Sequence, residues 1–395
     1  MKANPGGIIS PNEVLGRDRL IERLWKTLEQ QSVILVAERR MGKTSVIKKM
    51  AAEHTKGNLV IFMDVEAVSR IDEFMELLVS AFSAQSNTQK ATEWLKYARS
   101  TMSGFEVAGV KIPGIKVPPW KTLLERLFKE LIQTANCPVI FIWDEFPWML
   151  QKITRNEGHS TVVDLLDLLR SMRQTHQQLR VIYTGSIGLH HVVTSLHDEG
   201  YIHAPTNDMR TIELPPLEPQ DATTLASSLL KGERLSSEHD QDSAELITRL
   251  VEGVPYYIHH VVARLADANQ PLTLVSIEEV VTQGLIDPND PWNLEHYRLR
   301  LGEYYGERAG LARSILNILA ENQPMDLDDL REHLKTDFQP NNETSRRIVE
   351  GDREQLRRLI KLMQRDHYLA QDTKGCYGFR FNLIHRWWRL DLGLI

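Results

Sequence analysis

The run VILVAERRMGKTSVIKKM, residues 33–50, constrains the fold of this chain more than any other stretch. Four apolar residues, Val33–Val36, lead into a tight polar segment, then Gly42-Lys43-Thr44-Ser45, then residues at helical spacing. Strand, loop and helix in that order turn a GK[ST] pattern into an anion cradle. Backbone N–H groups of the loop would curl around the β- and γ-phosphates of a nucleotide, and the helix opening at Gly42 would aim its positive dipole end at them. Lys43 would supply a point charge, and the Thr44 hydroxyl an oxygen ligand for Mg²⁺. The candidate binding set is therefore Ala37, Glu38, Arg39, Arg40, Met41, Gly42, Lys43, Thr44 and Ser45. The usual pattern opens with Gly where this chain has Ala37, whose methyl group is tolerable while its φ stays negative.

A second signal lies about a hundred residues on. Val139-Ile140-Phe141-Ile142-Trp143 reads as a buried strand ending in Asp144-Glu145. Downstream of a phosphate loop, Asp144 would hold the metal and Glu145 would reach the attacking water as general base. Leu59–Asp64 reads as another buried strand, and Leu179–Thr184 as a fourth, followed by Gly185-Ser186. The hydroxyl of Thr184 or of Ser186 would sense the terminal phosphate. Arg210–Leu214 is a short fifth strand, closed by Pro215-Pro216. Strands alternating with helices imply an α/β fold with a doubly wound, five-stranded parallel sheet over residues 1–216.

Helical patterns flank these strands. In LIERLWKTLEQ the residues Leu20, Ile21, Leu24 and Leu28 share one face, with Asp18 as expected N-cap. FEVAGVKIPGIKV, residues 105–117, alternates about Pro113-Gly114 and reads as a hairpin, either packed locally or serving as a docking surface. Residues 217–301 carry only helical patterns, expected as a small lid, with Pro255 opening a helix in Gly253-Val254-Pro255. DPNDPW, residues 287–292, reads as a linker. Between 306 and 395 three helices precede a hairpin (Tyr368–Ala370, turn 372–375, Tyr377–Phe381), the winged-helix pattern.

The net charge of −6 gives no global attraction to nucleic acid or anionic membrane. Residues 346–389 depart from it, with eleven Lys and Arg against five Asp and Glu. Within them Arg353, Arg357, Arg358, Lys361 and Arg365 share one helical segment and form the candidate double-stranded DNA contact. Two isolated cysteines, Cys137 and Cys376, exclude a disulfide framework or a zinc site. The N-terminus lacks a signal-peptide core and no run is long enough to span a bilayer, so a cytoplasmic protein with no membrane partner is expected.

Taken together, VLGRDRLIERL, AERRMGKTS, the strand ending WDE, TGS, ELPPL, GVP and the terminal HRWWR resemble the archaeal-ATPase-like branch of the AAA+/STAND P-loop ATPases. The resemblance implies the ASCE strand order 5-1-4-3-2, a helical lid and a C-terminal winged helix. It implies ATP and Mg²⁺ as cofactors, slow ATP hydrolysis, and a switch whose nucleotide state governs assembly as a homo-oligomer or with an effector protein. By the same analogy Gly253 and Pro255 flank the adenine, and Arg210 is the nearest candidate for an arginine reaching a neighbour's γ-phosphate. No Arg follows GVP, where replication-initiator relatives place one; His259 or His260 would substitute, or serve as packing residues. Two alternatives to the switch stand beside it: an ATP-controlled DNA-binding initiator or regulator, and a phage-defence sensor or scaffold with weak hydrolysis.

Overall fold

The apolar runs become strands where their patterns place them: β1 (Val33–Val36), β2 (Leu59–Asp64), β3 (Val139–Asp144), β4 (Leu179–Thr184) and β5 (Arg210–Glu213). The computed structural model describes residues 1–53, 57–85, 119–186, 188–268, 270–340, 342–351 and 353–394, so the hairpin expected at 105–117 lies outside the described residues. Among the described residues the five strands form one parallel sheet, β2-β3-β4-β1-β5, which is the expected 5-1-4-3-2 order read from the other edge. Every residue of β3 is buried, whereas edge strand β5 buries only Ile212. Continuous apolar strands suit a sheet covered on both faces. The exposed Arg210, Thr211 and Glu213 keep the β5 edge from templating a further strand.

The connecting helices are α1 (Asp18–Leu28), α2 (Lys43–Ala52), α3 (Ile71–Gln85), α4 (Pro119–Ala135), α5 (Phe146–Glu157), α6 (His159–Thr175) and α7 (Leu189–Asp198). Asp18 is the first residue of α1 and not its cap, which is Arg17. Its carboxylate instead pairs with Lys49 of α2 at 2.8 Å, and Lys49 Nζ also donates to the Val14 carbonyl at 3.1 Å. The segment before the sheet is thereby fastened to the helix that follows the phosphate loop.

Two compact units divide the chain. One comprises Ser10–Arg39 and Lys43–Leu214; the other comprises Met1–Ile9, Arg40–Gly42 and Pro215–Ile395. In the sheet unit an aromatic cluster supports the ends of β3 and β4. Tyr183 stacks on Phe146 (centroids 4.1 Å) and on Trp143 (5.6 Å), and Phe74 meets Trp143 edge-on at 5.2 Å. Such pairs contribute about 0.5–1.5 kcal/mol each beyond their buried area. Arg173 of α6, buried, donates to both Asp208 oxygens (2.8 and 2.9 Å), to the Pro205 carbonyl (2.7 Å) and to the Tyr183 hydroxyl (2.9 Å). The segment before β5 is thus pinned to the same aromatic platform.

The helical unit contains α8 (Pro219–Gly232), α9 (Asp240–Leu250), α10 (Pro255–Ala268), α11 (Leu274–Ile286), α12 (His296–Tyr305), α13 (Ala309–Asn322), α14 (Leu327–Asp337), α15 (Glu343–Glu350), α16 (Arg353–Arg365), β6 (Leu369–Gln371), β7 (Tyr377–Phe379) and α17 (Asn382–Asp391). Helix α15 adds to the three expected before the hairpin. Its apolar face is only Ile348 and Val349, too short a pattern to read, although Asn342 caps it by accepting the Ser345 N–H at 2.7 Å. Residues 287–292 are not a linker. Trp292 is fully buried and lies against Gly284, where any side chain would collide with its ring. Asp287 accepts from Arg264 at 3.0 Å, and Asp290 accepts the N–H groups of Leu294 and Glu295. The Asp, Asn and Pro content that suggested a linker serves an ordered turn into α12. Arg300 of α12 is buried between the Tyr297 and Tyr368 rings (4.4 and 4.3 Å) and donates to the Tyr368 hydroxyl at 2.7 Å.

Candidate active site

β1 delivers the chain into the loop, and α2 begins at Lys43. Within the loop only Arg40 (φ 72°) and Gly42 (φ 87°) enter the left-handed region. Ala37 does not, so its methyl group costs nothing where the usual pattern has Gly. Arg40 carries the strain of a non-Gly residue there, roughly 1 kcal/mol. Within the helical unit, to which Arg40–Gly42 belong, its guanidinium lies 4.2 Å over the Tyr256 ring, an attraction that offsets the strain.

In the sheet unit Lys43 is buried and its Nζ donates to the Ala37 carbonyl at 2.7 Å and the Glu38 carbonyl at 3.4 Å. Burial lowers its pKa to about 8, against the opposing pull of Glu38, Glu145 and Asp144. The Glu38 carboxylate accepts the Arg39 N–H at 2.7 Å, and Arg39 Nε is buried without a hydrogen-bond partner.

Thr44 and Asp144, a hundred positions apart, meet: Thr44 Oγ1 donates to Asp144 Oδ2 at 2.7 Å. Asp144 is 2% exposed, and its pKa rises to about 6. Burial is the main cause, reinforced by the charges of Glu145 and Asp64 and opposed by the hydrogen bonds from Thr44 and from the Glu145 N–H. Asp64 stands opposite Asp144 in the β2–β3 register, so both carboxylates emerge from neighbouring strand ends.

Glu145 takes the cap position of α5 in a left-handed conformation (φ 58°, ψ 29°). Its carboxylate turns toward the end of β4, accepting the Ser186 N–H at 3.0 and 2.9 Å and the Ser186 hydroxyl at 2.8 Å. The Ser186 hydroxyl is therefore committed to Glu145. Thr184, by contrast, is 1% exposed and its Oγ1 has no hydrogen-bond partner. Between the two hydroxyls the sequence leaves open, that of Thr184 is the one without a hydrogen-bond partner.

Arg210 opens β5 beside Val33, the first residue of β1. The phosphate loop leaves the opposite end of β1, so exposed Arg210 takes no part in the site of its own chain. In the helical unit, Gly253 (φ 68°) lies where a Cβ would be 2.7 Å from the Leu217 carbonyl, and Pro255 opens α10. His260 is held neutral, its pKa lowered to about 4 by burial, with Arg40 and His259 adding to the shift. His259 is buried and its Nδ1 accepts the Asn4 N–H at 3.1 Å, so its ring is a packing partner of the N-terminal segment.

The basic side chains of α16 are exposed, and several are paired. Arg353 meets Asp328 at 2.8 Å, and Arg357 and Arg358 meet Glu354 at 3.7 and 3.5 Å; Lys361 and Arg365 carry no ion pair among the described residues. Sequence reading missed two contributors. Asp64 was legible as a strand ending in a carboxylate, as β3 does. Gly185, placed by the sequence only as the residue after the fourth strand, is the other: a Cβ there would stand 2.7 Å from the Pro147 ring and 3.4 Å from the Glu145 carboxylate.

The strand order, the loop on β1 and the carboxylates ending the strand two places away define the ASCE class of P-loop folds. Residues 27–193 match the family model described as "AAA domain". Over nearly the whole chain the fold is similar to the Walker-type ATPase of Pyrococcus abyssi (TM-score 0.62, 15% identity, 96% of this chain and 97% of that one). It is also similar to the ORC2 protein of Aeropyrum pernix, solved in ADPNP–ADP complexes (TM-score 0.50, 13% identity, 98% and 96%). No curated protein matches. Among the described residues no helix is long and apolar enough to cross a membrane.

Proposed function

We propose that the chain binds and slowly hydrolyses magnesium-ATP and works as a nucleotide-controlled switch. The observation that carries this reading is the contact of Thr44 Oγ1 with Asp144 Oδ2 at 2.7 Å, beside buried Lys43. A hydroxyl and a carboxylate held this closely are the oxygen ligands Mg²⁺ takes from protein, leaving its other positions to water and phosphate. The partnerless Oγ1 of Thr184 and Nε of Arg39 are polar atoms that phosphate oxygens would satisfy. Lys43, freed from the Ala37 and Glu38 carbonyls, would turn to the same phosphates. Glu145 would orient the attacking water and take its proton. The similarity to a Walker-type ATPase and to a protein solved with ADPNP and ADP supports the nucleotide. Gly253 and Pro255 are proposed to flank the base, and Arg210, at the end of β1 away from its own loop, to serve a neighbouring copy.

The decisive experiment measures the size of the protein with ADP and with a non-hydrolysable ATP analogue, each with and without duplex DNA. A change with nucleotide alone supports the switch; absence of nucleotide binding overturns it.

A second reading, ATP-controlled binding of duplex DNA, has its own observation. Helices α13–α16 lead into the β6–β7 hairpin, and Met325 adds a third bridging segment through two hydrogen bonds with Tyr377 (2.7 and 3.0 Å), an arrangement that suits a winged helix. Arg353, Arg357, Arg358, Lys361 and Arg365 would then meet phosphates. Binding that weakens steeply with salt, and is lost on neutralising Arg357 and Arg358, supports it.

A further inference from the structure

Between α8 and α9 the helical unit holds a groove of about 950 Å³. We propose that this groove is a binding site for a small polyhydroxylated anion of the sugar-phosphate class.

The pairing of the two helices and their composition build the groove. The Leu217 N–H donates to the Gly253 carbonyl at 3.0 Å, which ties the approach to α8 to the exit from α9, so the helices run antiparallel. On α8, Thr224, Ser227, Ser228 and Lys231 stand at i, i+3, i+4 and i+7, one face of the helix, and all four line the groove. Short hydroxyl side chains there leave open the space that larger residues would fill. Thr248 of α9 supplies the observation that points to a ligand. It is 8% exposed, lines the groove, and its Oγ1 has no hydrogen-bond partner. A buried hydroxyl without a partner costs stability, and one that borders a cavity of ligand size gains its partner when a polar molecule enters.

The charges set the sign of that molecule. Lys231 and Arg249 both line the groove, and neither has an ion pair among the described residues. The carboxylates of the groove are already bonded: Glu245 accepts the Gln241 amide at 2.6 Å, and Glu252 accepts the Leu383 N–H at 2.7 Å. With the helices antiparallel, Lys231 ends α8 beside the start of α9, where Gln241 stands. Arg249 follows Gln241 along α9 at a distance of about 12 Å by helical rise. Two cations so spaced, with hydroxyls between them, suit a molecule that carries anionic groups at its ends and hydroxyls along its length. The site is separate from the phosphate loop, since Arg40–Gly42 and Tyr256 belong to the same unit and none of them lines the groove. It stands whether or not the nucleotide reading holds.

The test is isothermal titration of the full chain with fructose 1,6-bisphosphate, comparing the parent with Thr248→Val and Lys231→Ala. Fructose and inorganic phosphate serve as the uncharged and the bare-anion controls. The parent is expected to bind the bisphosphate saturably, with a Kd below about 1 mM and roughly tenfold tighter than either control. Thr248→Val, which keeps the shape and removes the hydroxyl, should weaken binding roughly fivefold, and Lys231→Ala roughly tenfold. Thr248→Val should also raise the melting temperature of the unliganded chain by about 2 °C or more, because the partnerless hydroxyl is gone. Absence of bisphosphate binding overturns the proposal. So does binding that both variants retain, which would put the anion in the phosphate loop or elsewhere, and so does phosphate binding as tight as that of the bisphosphate. A Thr248→Val chain that melts below the parent overturns it as well, since the hydroxyl would then serve the fold.

Discussion

The strand ends of the sheet unit and the basic face of α16 both concentrate charge, but they treat it in opposite ways. At the strand ends Lys43 and Asp144 are 8% and 2% exposed, each with named hydrogen-bond partners, and their pKa values move toward each other, to about 8 and about 6. On α16 the Arg358 side chain is 76% exposed and pairs loosely with Glu354 one turn away. Desolvated charge is costly, so it persists only where something repays it, whereas exposed charge on a helix is cheap and worth little to stability. The comparison teaches that the number of charges in a stretch is a weaker guide to chemistry than how few water contacts they keep.

The largest effect should come from the strand ends. Glu145→Gln is expected to keep ATP bound while turnover falls by roughly 10²–10⁴-fold, checked by nucleotide binding and phosphate release. Arg173→Ala, which empties the buried network under the same ends, should destabilise the sheet unit by about 3–5 kcal/mol in denaturant melts, since Asp208 is left without its partner. Lys43→Ala should weaken ATP binding by about a hundredfold or more; tight binding by this variant would remove the strand ends from the comparison altogether.

Asp144 must be ionised to hold magnesium and Lys43 protonated to hold phosphate. Affinity for magnesium-ATP is therefore expected to peak between about pH 6 and about pH 8. It should fall on the acid side as Asp144 takes up its proton, and on the alkaline side as Lys43 loses one, by up to roughly tenfold per pH unit. Asp144→Asn should bind more weakly and lose the protein's share of the acid limb. Because burial raises the Asp144 pKa, the folded protein without nucleotide holds that proton more tightly than the unfolded chain. Its contribution to stability is present below about pH 4 and is lost as pH rises through about 6. Asp144→Asn should accordingly raise the melting temperature more at pH 7.5 than at pH 5, as differential scanning calorimetry would measure. The smallest effect belongs to α16: Arg358→Ala should change stability by no more than about 0.5 kcal/mol, and a larger loss would mean that its exposed pairs are not the weak ones described.

Much of the sheet unit was legible because its signals are local. VILV and VIFIWD are strands wherever both faces are covered, and GKTS is a loop-to-helix turn by its own backbone demands. The order 5-1-4-3-2 was legible only through resemblance, as an alternation of strands and helices does not specify which strand lies central. The helical unit was harder. DPNDPW has the composition of a linker, and nothing local announces that Trp292 fills the space left by Gly284. ETSRRIVE offers two apolar residues to a pattern that needs four or five.

What the sequence determined by itself is the inventory: an anion loop after one apolar strand, two carboxylates after another, and hydroxyls after a third. Tertiary structure decided how those groups are spent. It joined Thr44 to Asp144, turned Glu145 from the expected water to Ser186, left Thr184 as the partnerless hydroxyl, and set Arg210 at the far end of β1. A residue's chemistry travels with its identity, but its partners depend on strand order, on backbone conformation at single positions such as Glu145, and on which neighbours lack a side chain, as at Gly185. None of these can be read from the position of a residue along the chain.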